Sequence, residues 1–110
     1  MKSGEDGMFI KYDEYELNSF FENEPISIGD ISSGKYIYSY VDCDFKLVMT
    51  VLVYEQIVDI AISYCEKTIC NIEITDIDRI ERSEDVIYIY TNENKVYVLK
   101  KKPIIGLVQE

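Results

Sequence analysis

The stretch KYIYSYVDCDFKLVMTVLVYEQIVDIAISY, residues 35–64, decides the fold. Its first part alternates, with Tyr36, Tyr38 and Tyr40 on one face of an extended chain and Ile37, Ser39 and Val41 on the other, the period of a strand. Residues 47–54 are apolar on both faces, Leu47, Met49, Val51 and Val53 against Val48, Leu52 and Tyr54. Such a strand is expected in the middle of a sheet with something packed on each side. Glu55 and Gln56 then connect to 57–64, where Val58, Ile60, Ile62 and Tyr64 alternate inward and Asp59, Ala61 and Ser63 outward. The two runs predict a hairpin.

Downstream, 67–74 places Cys70, Ile72 and Ile74 on the buried side and Asn71 and Glu73 outside. Ile74, Ile77 and Ile80 recur every three residues, so 76–83 reads as a bulged strand in preference to a short helical turn. Residues 86–91 and 95–100 flank Asn92, Glu93 and Asn94, and asparagine tolerates the left-handed conformation of short hairpin loops. Pro103 ends regular pairing and 104–108 adds a short terminal strand. The run Lys100, Lys101, Lys102 is expected to be solvated and to blunt a sheet edge.

Upstream, one segment breaks the β pattern. Asp13 suits a helix N-cap, Glu14 and Glu16 sit where the helix dipole favours negative charge, and Leu17, Phe20 and Phe21 share a face. A helix over 13–22, stopped by Pro25, would be marginal alone and must dock its apolar stripe on the sheet. Seventeen Ile and nine Val against five Leu and one Ala support a β-rich chain, because β-branched side chains fit a pleated surface better than a helix. The expectation is one α+β domain over 1–110, with 1–7 a flexible tail. Its centre is a strongly bent antiparallel β-sheet of six to eight strands, half-barrel or sandwich-like, with one N-terminal helix packed on it. There is no internal repeat and no linker.

Composition narrows the function. Among 110 residues, 21 acids face 11 Lys and Arg, a formal charge of −10 that repels nucleic acid and anionic membrane surfaces. With no histidine, serine–histidine and cysteine–histidine nucleophiles and imidazole ligands are excluded. No catalytic residue, metal or cofactor is expected. Asp42 and Asp44, like Asp76 and Asp78, point the same way along an extended chain, but a hard cation needs six or more oxygens. Cys43, Cys65 and Cys70 fall short of the four ligands of a structural zinc site, and are read as reduced thiols. The polar start, MKSGEDG, does not read as a secretory signal, and no apolar run approaches the ~20 residues of a membrane helix. A soluble, cytoplasmic protein is expected.

What remains is binding. The Tyr36, Tyr38, Tyr40 row either fills one face of the core or meets a partner, since tyrosine is enriched at interface hot spots. It runs into Asp42 and Asp44, and an aromatic row rimmed by acids suits a basic protein surface. Asp76, Asp78 and Glu81 form a second candidate patch, equally well explained as a solvated face.

The helix ELNSFFENEP, the hairpin LVMTVLVYEQIVDIAISY, the run ICNIEITDIDRIERSEDVIYIYT and the ending VYVLKKKPIIGLV together resemble a known class. They are similar to the small, acidic, β-rich immunity proteins encoded beside bacterial polymorphic toxins, including those of contact-dependent inhibition. The resemblance implies a cytoplasmic protein that binds one cognate toxin domain, basic in character and in many such systems a nuclease, and blocks its active site or an adjacent surface. Two alternatives stand beside it: a regulatory or assembly module that homodimerises through an exposed strand, and a small-molecule-binding half-barrel.

Overall fold

Strand after strand pairs with its neighbour in sequence, as the alternation demands. The computed structural model describes residues 9–101 and 106–109. β1 (Ile26–Ser27), β2 (Lys35–Asp42), β3 (Phe45–Leu52), β4 (Ile57–Tyr64) and β5 (Lys67–Ile74) form a five-stranded antiparallel meander in that order. β6 (Ile77–Ser83), β7 (Val86–Thr91), β8 (Val96–Lys100) and β9 (Gly106–Gln109) form a second, four-stranded one. The α+β class stands. The single strongly bent sheet of six to eight strands does not, because the described residues form nine strands in two sheets that are neither closed nor strongly curled.

The division falls at Asp76, whose φ of 58° turns the chain out of the β5 ladder. The Ile77 N–H then donates to the carbonyl of Gln56 at 3.0 Å, and the Asp76 carbonyl accepts from Asn92 N–H at 2.8 Å. These bonds satisfy the junction without a β5–β6 ladder. The three-residue isoleucine spacing has its counterpart in an irregular register between Ile77 and Arg79. A second irregularity, between Ile62 and Ser63, leaves Ile69 of β5 without a cross-strand partner. It interrupts the outer edge of that sheet. Asn94 adopts the left-handed conformation expected in the last hairpin, with φ 66°.

Helix α1 (Glu14–Phe21) begins where Asp13 Oδ1 accepts from the N–H groups of Tyr15 at 2.8 Å and Glu16 at 3.4 Å. It ends at Glu22, left-handed with φ 59°, before Pro25 is reached. Leu17, Phe20 and Phe21 are buried and meet β2 of one sheet and β6 of the other. The Phe21 ring lies 5.2 Å from that of Tyr38. The helix therefore closes one core shared by the inner faces of both sheets, with Leu47, Met49, Val51, Val58 and Ile60 from the first and Ile77, Ile87, Ile89 and Leu99 from the second.

Two expectations are corrected here. β3 is central, yet only its inner face is covered: Leu47, Met49 and Val51 are fully buried while Val48, Thr50 and Leu52 remain partly exposed. The helix and the second sheet both pack on the same side. Lys101 is 3% exposed, not solvated. Alternation along β8 puts it on the face of Leu99, where its ammonium reaches the Phe20 carbonyl at 2.6 Å and the Glu22 carboxylate at 3.0 Å. Lys100 is exposed as expected. The expected tail over 1–7, together with Lys102 and Pro103, lies outside the described residues; the expected terminal strand is represented by β9.

Candidate functional site

In a meander, alternate turns come to the same end of the sheet. Asp42 pairs with Phe45, Phe45 with Tyr64 and Tyr64 with Lys67, so the turns at 43–44 and 65–66 stand side by side. The Cys65 N–H donates to the Asp44 carbonyl at 2.9 Å and ties them together. Cys43, Cys65 and Glu66 are left-handed, with φ of 56°, 51° and 66°, which two-residue hairpin turns accept readily only for Gly, Asn or Asp.

Between the turns lies an open cleft of about 620 Å³. Asp44 and Glu66 supply carboxylates, Cys43 and Cys65 thiols, and Lys46 and Ser63 polar groups; Val41 and Phe45 are the apolar walls. Tyr64 packs beside Phe45 with ring centroids 4.8 Å apart, and both Val41 and Tyr64 are exposed. The neighbouring Cys65, and after it Asp44, hold the Tyr64 phenol above its ordinary value. An exposed tyrosine ring, backed by a partly buried Phe45 and set beside carboxylates outside any ion pair of the described residues, can pack against a partner and pair with its cations.

The sequence candidates divide. Asp44 is exposed on the cleft and Asp42 is half-buried beside it at the end of β2. Tyr38 and Tyr40 are 1% and 8% exposed and belong to the core, while Tyr36 is partly buried against it. The tyrosine row thus supports the acidic end from beneath. Burial, then the Asp42, Glu22 and Asp85 carboxylates, push the Tyr40 phenol upward.

In the second patch, Arg79 binds Asp78 at 3.1 Å and Glu81 at 3.0 Å, Lys11 lies 3.6 Å from Asp78, and only Asp76 is unpaired among the described residues. Within that patch Asp78 and Glu81 are already paired with cations. Charge is unequal along the chain as well, with seven acids to three bases between 35 and 76 and five to five between 77 and 101. No ion pair among the described residues uses Asp42, Asp44 or Glu66. Of the two sheets, the first carries the larger excess of acids.

Among the described residues no group of three or more cysteines and carboxylates is arranged to hold a metal ion. Cys70 is set apart from the cleft on the inner side of β5, and all three cysteines are free thiols. Sequence reasoning missed Val41, Phe45, Tyr64 and Glu66. The signal was available: connections at 43–44 and 65–66, two strands apart, must meet at one end of a meander.

A chain of one solved structure superposes on this architecture with a TM-score of 0.75, covering 94% of the present chain and 98% of its own. That structure is the contact-dependent growth inhibition toxin–immunity protein complex from Klebsiella pneumoniae 342. The two chains share a fold. Their sequences are 22% identical. No protein-family model and no curated protein matches the sequence, and among the described residues no helix is long and apolar enough to cross a membrane.

Proposed function

We propose that this chain is an immunity protein that binds a cognate bacterial toxin domain in the cytoplasm and neutralises it by covering its active site or an adjacent surface. The observation that carries the proposal is the fold likeness, over 94% of this chain, to a chain of a toxin–immunity complex. The charge distribution supports a basic partner. Unpaired carboxylates on the first sheet accelerate encounter with a cationic domain, and fixed apolar contacts hold it. Asp42 and Asp44 are the contact acids, with Tyr36, Tyr38 and Tyr40 holding the strand that carries them. Asp76, Asp78 and Glu81 serve as the comparison patch. Neutralisation by binding needs one chain per toxin and no catalysis.

If the gene beside this chain encodes a large secreted protein, co-expression with its C-terminal domain tests the proposal, with survival as the readout. Protection by this chain, and none by an unrelated immunity protein, is the expected result. Growth arrest despite soluble expression of both chains sinks it.

A further inference from the structure

The solvent face of the first sheet is unlike the rest of this acidic protein. Register aligns it in cross-strand rows: Lys35 with Leu52 and Ile57; Ile37 with Thr50 and Asp59; Ser39 with Val48 and Ala61. The last row, Val41 with Lys46 and Ser63, runs into the cleft. None of these twelve positions belongs to the buried core cluster or packs against it. Only Lys35, Lys46 and Asp59 carry charge, in a chain whose acids exceed its bases by ten. An antiparallel sheet with one wet face ordinarily shows polar residues there. Ile37, Val41, Val48, Leu52, Ile57 and Ala61 are apolar instead, and Val41 is 62% exposed.

We infer that this sheet face is the apolar centre of the surface that receives the partner, and that the partner is a protein whose own apolar patch is ringed by lysines and arginines. The inference rests on the immunity reading and specifies its contact surface. Two observations favour such an occupant. The face passes without a break into the cleft, where Asp44 and Glu66 stand without ion-pair partners among the described residues. Its charged groups nearly cancel while its margin is acidic, with Asp42 at one end and Glu55 at the other. A charge-depleted centre inside a charged rim is the composition of a specific protein interface. A second copy of this chain would bring acidic rim against acidic rim.

Val48→Glu separates contact from steering. The added negative charge assists encounter with a basic domain, so attraction alone would tighten binding; a packed apolar centre instead expels the variant. Val48 is on the solvent side of β3, and Ala61→Glu, its neighbour on β4, is the second variant. Binding of the purified toxin domain is followed kinetically, with circular dichroism and urea midpoints confirming that both variants fold. The expected result is an on-rate equal to or above wild type and an off-rate at least tenfold higher for both. If wild type binds and both variants dissociate at its rate, the sheet face is not the contact surface, although the immunity reading stands. If wild type does not bind, the immunity reading falls and takes this surface with it. If wild type forms a concentration-dependent dimer that Val48→Glu dissolves, the occupant is a second copy and the inference is overturned.

Discussion

The Lys101 ammonium donates to the Phe20 carbonyl across 2.6 Å, joining the chain just beyond β8 to the last turn of α1. A cation is favoured at a helix C-terminus, and here the Phe20 and Tyr40 rings flank it at 4.9 and 4.8 Å. Lys101→Ala removes all of these contacts and leaves a buried carbonyl unsatisfied, so urea unfolding should show a loss of about 2 kcal/mol or more. Glu22 is the weaker partner because its side chain is 59% exposed. Glu22→Gln should cost under about 0.5 kcal/mol. Equal losses from the two variants would mean that the ion pair, not the carbonyl, carries the contact.

Alkaline pH should unfold this protein through its buried phenols. Burial, then the charge of Tyr12 and the hydrogen bond to it, raises the Tyr38 phenol far above its ordinary value, and burial raises Tyr12. Above about pH 10 the unfolded chain releases protons that the folded chain retains, so stability is level below that point and falls as pH rises beyond it. Urea midpoints between about pH 8 and about pH 11 should show the fall, and Tyr38→Phe should make it shallower. A flat profile would count against the buried phenols.

Thiol chemistry should distinguish the cleft from the core. Cys43 and Cys65 are exposed whereas Cys70 is partly buried. A thiol reagent should modify the first two rapidly and the third slowly in the folded protein. Saturating toxin domain should protect Cys43 and Cys65 together. Unchanged labelling in the complex would place the partner elsewhere.

Charge at the cleft should govern how fast the partner arrives. Asp42→Asn with Asp44→Asn should lower the association rate several-fold at low ionic strength and leave the dissociation rate nearly unchanged. Asp78→Asn with Glu81→Asn should have a smaller effect, because Arg79 already offsets those acids. The reverse ranking in stopped-flow measurements would transfer the contact to the second sheet.

Alternation in 35–64 located β2, β3 and β4, and it picked out Val58, Ile60 and Ile62 as the buried side of β4, because a side-chain period of two is local information; Tyr64, read as inward, is exposed at the sheet end. Helix α1 was legible for the same reason, with Asp13 as the cap and Leu17, Phe20 and Phe21 as the buried stripe. The split into two sheets was not. It depends on the left-handed φ of Asp76 and on a hydrogen bond from Ile77 to Gln56, twenty-one positions apart. The fate of Lys101 was equally hidden, since the carbonyl that receives it lies at the far end of the chain. Asp44 could be picked out by its charge, but the cleft it lines needs two turns brought together by pairing order.

Both sheets run strictly in chain order, and this has a kinetic corollary. Each strand needs only a short loop to find the next, so assembly can proceed hairpin by hairpin with little loop-closure entropy, which favours rapid folding for a β-rich chain. The exceptions among the described residues include the bonds of Ile10 and Lys11 to Val53, Asp78 and Ile80 and the Lys101–Phe20 contact, the last spanning 81 positions. A bond of that span belongs late on the folding route. Lys101→Ala should then accelerate unfolding and leave the refolding rate almost untouched, so this one ammonium acts as the latch that sets how long the finished molecule lasts.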